Sequence, residues 1–195
     1  MPRKRQSTKS RIVKAAWNLF FKNGYEDTTV EDIIAASKTS KGACLESLKG
    51  TEALLNSLSY LFDQKYEELY GVIDPALSAY DKLLFLNHEL FYMIKTSVDI
   101  KLLAYLYSSQ LITKDKKSLS DHKRFYFTWI TEIIQTALDN GEFKNTSTTE
   151  ELVNIYAMYE RAILYDWALF KGKFDLTDYS DKLLPHVLDT FVEGV

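Results

Sequence analysis

The chain has 195 residues, 46% of them apolar, enough for one domain or for a small domain fused to a larger one with a real core. Its single cysteine excludes an internal disulfide framework and fits a reducing compartment. Net charge is −3, which alone argues against a polyanionic partner, but residues 1–50 hold 10 Lys/Arg against 5 Asp/Glu while residues 51–195 hold 14 against 22, a basic head on an acidic body.

Seven glycines and three prolines are few punctuators for this length, which favours long helices over strands. The basic start, MPRKRQSTKS, is not followed by a secretory apolar region, because Lys14, Asn18 and Lys22 interrupt the next segment. No run approaches the roughly 18 apolar residues of a membrane span. A cytoplasmic, non-membrane protein is the expectation.

In chain order, the first helix is predicted over about 8–22, with Ile12, Ala15, Ala16, Leu19 and Phe20 on one face and Asn23-Gly24 ending it. Thr28-Thr29-Val30-Glu31 fits a capping box and opens a short second helix. Ser37-Lys38-Thr39 is a turn, and Ser40 caps a third helix that runs to about Leu48. Lys49-Gly50 breaks the chain. A long fourth helix begins near Thr51 and closes between Gly71 and Pro75. Helices follow over about 79–96, 99–112, 121–139, 149–172 and 177–193, with a polar loop over 113–118 and a second capping box at Thr148–Glu151. Pro185 either kinks the last helix or marks a later start. The reading is an all-α chain of about nine helices, with no strand pattern and no internal repeat.

Three short helices joined by tight turns form a helix-turn-helix unit. The stretch RIVKAAWNLFFKNGYEDTTVEDIIAASKTSKG, with Glu52-Ala53-Leu54-Leu55 after it, resembles the tetracycline-repressor (TetR) family of transcriptional regulators. The resemblance implies a DNA-binding domain over 1–50 and a helical effector-binding and dimerisation domain over 51–195. It implies DNA contacts from Thr28, Thr29, Ser40, Lys41, Gly42, Ala43, Leu45, Glu46, Lys49 and Thr51. A homodimer on a palindromic operator, released by a small molecule, would follow.

The third helix departs from the family's pattern. Leu45 stands where a tyrosine is usual, Thr51 where a lysine is usual, and Glu46 adds a negative charge. Each lost phosphate contact weakens binding and flattens its salt dependence. Arg3, Lys4 and Arg5 remain free to follow a minor groove. A ligand-binding or scaffold dimer whose head has lost DNA function is therefore the alternative reading.

Aromatic residues, 14% of the chain, crowd the C-terminal part. Phe85, His88, Phe91, Tyr92, Tyr105, Phe127, Trp129, Tyr156, Tyr159 and Trp167 are the candidate lining of a pocket for a small apolar or aromatic effector. An anionic effector would want arginine, and only Arg124 and Arg161 follow Arg11. The segment 149–172 is apolar on more than one side. With Tyr156, Tyr159 and Ile163, and with Leu184, Val187, Leu188 and Phe191 from the last helix, it is the candidate dimer interface. His88, His122 and His186 have no metal-ligand spacing, and there is no Gly-rich phosphate loop, so no enzyme, cofactor or metal is expected. Cys44, near a helix start, is either core or a redox sensor.

Overall fold

The computed structural model describes residues 7–48, 50–112, 121–144 and 146–193, with backbone alone for 50–56 and 109–112. Among the described residues there are nine helices and no strand. They are α1 Thr8–Asn23, α2 Val30–Ser37, α3 Lys41–Leu48, α4 Gly50–Tyr70, α5 Ala79–Ser97, α6 Ile100–Ile112, α7 Phe125–Asp139, α8 Thr149–Leu169 and α9 Leu176–Glu193. The all-α reading holds. The loop expected over 113–118 lies outside the described residues, as do Lys49 and Arg3, Lys4 and Arg5.

Three boundaries differ from the sequence reading, each for a local reason. The first concerns α2, whose N-cap is Thr29 rather than Thr28, with Asp32 rather than Glu31 returning the bond. Thr28 instead donates its hydroxyl to the Gly24 carbonyl at 2.8 Å. Next, α7 starts at Phe125, not near 121, because Asp121 makes a turn in which its carbonyl accepts the Arg124 N–H at 3.0 Å. Finally, α8 stops at Leu169, where Lys171 and Gly172 take left-handed φ of 53° and 70°. Pro185 lies inside α9, which runs through it.

The chain forms two compact units. A head unit comprises Met1–Leu61 and Thr96–Ser120, and a body unit Phe62–Lys95 and Asp121–Val195. The division falls inside α4, and α6 belongs to the head unit.

In the head, α1, α2 and α3 pack on one another. The apolar face read from the sequence is the one buried: Ile12, Ala16 and Phe20, with Val13 and Trp17 beside it. Ile33 of α2 and Cys44 of α3 close this core. Each such side chain adds about 1.5–3 kcal/mol of burial energy when large. The Trp17 indole N–H donates to Ser57 Oγ at 3.0 Å, so the largest head residue is buried without an orphan donor.

In the body, α7 packs on α8 and α8 on α9. Leu83, Phe91, Ile130, Ile134, Leu152, Tyr156, Leu188 and Phe191 are fully buried there. Arg124 grips Asp63 through two bonds, Nε to Oδ2 and Nη2 to Oδ1, both 3.0 Å, and so pins the start of α7 to α4 within this unit.

Candidate functional site

The helix-turn-helix is built by short-range bonds. Gly24 ends α1 at φ 89°, a conformation that a side chain would strain, and its N–H returns to Phe20 O at 2.9 Å. Thr29 Oγ1 accepts the Asp32 N–H at 3.2 Å, and Asp32 Oδ2 accepts the Thr29 N–H at 3.0 Å. The Thr29 hydroxyl, donating to the same carboxylate, holds Asp32 below the usual carboxylate range. Lys38 ends α2 in the left-handed region at φ 54°. Ser37 Oγ and Thr39 Oγ1 lie 2.7 Å apart across the turn. Ser40 Oγ then accepts the Ala43 N–H at 3.3 Å and caps α3.

On α3, Cys44 is the buried anchor, while Gly42, Leu45 and Glu46 are exposed and Ala43 is half-buried. Among the described residues nothing lies within 4 Å of a Cβ built on Gly42. Leu45 shares a hollow of about 310 Å³ with Phe20, Tyr25, Ile33 and Leu48. Burial pushes the Cys44 thiol up, and the Glu31 charge adds to it. Thiolate chemistry is therefore disfavoured there despite the nearby helix start.

Lys41, the cation expected to meet DNA, is engaged by Glu31. Its Nζ lies 3.0 Å from Oε1, with both side chains about two-thirds exposed at 66% and 68%. Lys41 is the leading cause that lowers the Glu31 pKa. This partner went unnoticed in the sequence because it sits ten positions away, across the turn. The charge balance of the head is also uneven. Residues 7–48 carry six basic and five acidic side chains, so four of the five excess charges of residues 1–50 belong to Arg3, Lys4, Arg5 and Lys49, outside the described residues. The side chain of Thr51 is outside them too.

The body does not bring the candidate effector residues into one lining. Phe91, Phe127, Trp129, Tyr156 and Trp167 are core. The Tyr156 hydroxyl donates to Leu83 O at 2.9 Å and the Trp167 indole to Phe174 O at 3.1 Å. Phe85 is half-buried. His88 faces Asp181, with Nδ1 2.9 Å from Oδ2. Tyr159 donates to the Ser180 carbonyl at 3.1 Å. Tyr92 is exposed, and Tyr105 is exposed within the head unit.

Trp129 alone of these lines the one body cleft described, about 620 Å³, between the end of α4, the turn after it, the start of α5 and α7. Tyr70 stands over Trp129 at 5.1 Å and 71° and is 55% exposed. Glu132, Glu142 and Lys82 supply the charges of the lining.

Behind Trp129 lies a polar cluster that the sequence reading missed. Glu160 is 4% exposed and accepts Tyr126 Oη at 2.7 Å and Asn87 Nδ2 at 3.0 Å. Asn87 in turn accepts the Ser180 hydroxyl at 2.5 Å. Burial raises the Glu160 carboxyl, and burial with the Glu160 charge raises Tyr66, Tyr126 and Tyr156 well above 10, so these phenols stay protonated. The Tyr66 hydroxyl is buried and meets no hydrogen-bond partner among the described residues. A signal for Glu160 was present: it sits at i+4 from Tyr156 and i−4 from Leu164, on the buried face of α8.

The candidate interface residues Tyr156, Ile163, Leu184, Leu188 and Phe191 are likewise buried within the single chain, and Tyr159 and Val187 are half-buried. The apolar residues that α8 leaves exposed are Met158, Ala162, Tyr165 and Leu169. No helix of the described residues is long and apolar enough to cross a membrane, and no group of three metal-ligating side chains occurs among them.

Residues 12–58 match the family described as bacterial regulatory proteins, tetR family. No curated protein matches the chain. The solved structures it resembles include FadR of Bacillus subtilis in complex with stearoyl-CoA, 20% identical, covering 95% of this chain and 98% of that one, with a TM-score of 0.65. FadR of Thermus thermophilus, a repressor in complex with lauroyl-CoA, is 21% identical, with 92% and 93% covered and a TM-score of 0.65. NalD, the secondary repressor of a multidrug efflux pump in Pseudomonas aeruginosa, is 20% identical, with 95% and 96% covered and a TM-score of 0.54. At these identities the likeness is one of fold.

Proposed function

The chain belongs to the tetR family of bacterial regulatory proteins through residues 12–58, and from that premise we propose that it is a dimeric, effector-released transcriptional repressor. The observation that carries this reading is the α2–turn–α3 unit, capped at Thr29 and Ser40, with α3 docked through Cys44 and its other side open. Helix starts offer free N–H groups and a positive dipole end to phosphate. Thr28, Thr29, Ser40, Lys41 and the open backbone at Gly42 are the proposed backbone contacts. Ala43, Leu45 and Glu46 face the bases: Leu45 suits a thymine methyl, and Glu46 can accept from cytosine N4. Lys49 and Thr51 complete the set at the α3–α4 junction. Arg3, Lys4 and Arg5 supply the charge that residues 7–48 lack.

The reading as a ligand-binding dimer with a silent head draws support from two features of the head. Lys41 is paired with Glu31, and Glu46 is exposed on α3. Selection of bound fragments from random duplex DNA separates the two. Retention of a palindromic site supports the repressor. No binding at low salt, and none restored by Leu45→Tyr with Thr51→Lys, leaves the ligand-binding dimer.

For the dimer we take α8 as the contact, through Met158, Ala162, Tyr165 and Leu169, which recur at i, i+4, i+7 and i+11. Tyr159 and Ile163 turn toward their own core and are not the residues to test. Ala162→Asp with Tyr165→Asp is expected to halve the native mass while the circular dichroism spectrum stays helical. An unchanged dimer mass would discard this stripe.

A further inference from the structure

We infer that the cleft between α4, α5 and α7 is the effector site and that it takes an amphipathic organic cation. The inference rests on the reading of the body unit as the effector-binding part. Its warrant is the chemistry of the walls.

Two rings meet at the cleft. Tyr70 and Trp129 stand 5.1 Å apart, close to edge-on, with Phe125 5.8 Å from Tyr70 behind them. Electron-rich ring faces attract a cation that has shed part of its water. Tyr70 is 55% exposed although it closes an aromatic set, so its face is open to a ligand. Leu77 and Ile133 supply apolar wall on either side. At about 620 Å³ the cleft is within the range of small-molecule sites.

The charges point the same way. Glu132 is exposed on α7, one turn beyond Trp129, and Glu142 lines the other end, where one of its oxygens accepts the Tyr80 N–H at 3.0 Å. The single cation in the lining, Lys82, donates to Pro75 O at 3.0 Å. Two carboxylates against one engaged lysine favour a positive ligand and oppose a negative one. The long acyl thioesters named for the FadR structures carry phosphates that call for several Arg or Lys donors, and this cleft does not offer them.

The test is titration calorimetry on the full chain with three probes: 4-phenylbutyltrimethylammonium, the carboxylate 5-phenylpentanoate, and lauroyl-CoA. The ammonium compound is expected to bind at least tenfold more tightly than either anion at low salt. Tyr70→Ala with Glu132→Gln should weaken it at least tenfold while the chain stays folded, its melting temperature lowered only by the lost ring contacts of Tyr70. Glu132→Lys alone should reverse the order of the ammonium and the carboxylate. Equal or tighter binding of an anion, or unchanged ammonium binding in the double variant, overturns the inference. So does a change of native mass in that variant, which would make the cleft a contact between copies. Whether the ammonium compound also releases DNA is read separately. Binding without release keeps the cation site and counts against the repressor reading.

Discussion

The head and the body place their polar groups in opposite ways. Around the helix-turn-helix the polar bonds are local: Thr29 with Asp32, Ser40 with Ala43, Ser37 with Thr39, while the buried Trp17–Ser57 bond is the long-range exception in the head. In the body they are distant in sequence and inside: Glu160 meets Asn87 across 73 positions and Tyr126 across 34, and Asn87 meets Ser180 across 93. The first kind shapes the turn and the starts of α2 and α3. The second kind fixes one arrangement of four helices, because a buried group left unpaired costs more than a made bond gains. Loss of one polar partner is therefore expected to cost more in the Glu160 cluster than at the caps of the helix-turn-helix.

The sharpest way to break that contrast is Glu160→Ala. It strands the Tyr126 hydroxyl and the Asn87 amide beside the buried Tyr66 hydroxyl and leaves a cavity. The expected loss is about 3 kcal/mol, read from urea unfolding. Glu160→Gln keeps an acceptor and serves as control. Burial raises the Glu160 pKa above its ordinary 4.5 in the folded state, so the protonated form is the one that folding favours. Its contribution is then fully present below 4.5 and is lost as pH rises through the folded value. Stability of the parent should fall relative to Glu160→Gln as pH increases over that span. A gap that does not change with pH would mean that the carboxyl stays in one protonation state throughout.

A smaller effect is expected in the head. Thr29→Ala removes the N-cap of α2 and should cost about 1 kcal/mol, with Thr28→Ala costing less because Thr28 bonds only to the preceding turn. A larger loss for Thr28→Ala than for Thr29→Ala would put the cap one residue earlier. That is where the sequence reading had put it, and the error is instructive. Thr28 with Glu31 and Thr29 with Asp32 are both spaced for a capping box, so the motif alone cannot choose between adjacent registers. Helix positions, apolar faces and the second box at Thr148 were legible because they depend on residues within four places of one another. The cleft was not, since Tyr70 and Glu132 are brought together only by the packing of α4 and α7 within the body. Phe91, Phe127, Trp129, Tyr156 and Trp167, read as pocket lining, are core for the same reason: composition marks burial but not which buried faces enclose space. Glu160 stood in plain view on the buried face of α8, yet its partners are too remote for any local rule to supply.

The smallest change in stability belongs to the Lys41–Glu31 pair, and it carries the most information about the head. Both side chains are about two-thirds exposed, so the pair holds the fold weakly and Glu31→Gln should leave the melting curve where it was. Its effect on DNA is another matter. Lys41 must leave Glu31 before it can neutralise a phosphate, and Glu31 itself repels the backbone. Freed of that partner, Lys41 should tighten binding to all duplexes alike and steepen the dependence of log K on log salt by up to about one unit. Loss of the Glu31 charge alone would tighten binding too, so the decisive comparison is Lys41→Ala made in both backgrounds. If Lys41 reaches phosphate, its removal costs more after Glu31→Gln than before, and the added slope disappears with it. If Lys41→Ala costs the same in both, the pair is a bystander of DNA binding, and Arg3, Lys4, Arg5 and Lys49 are the next cations to replace.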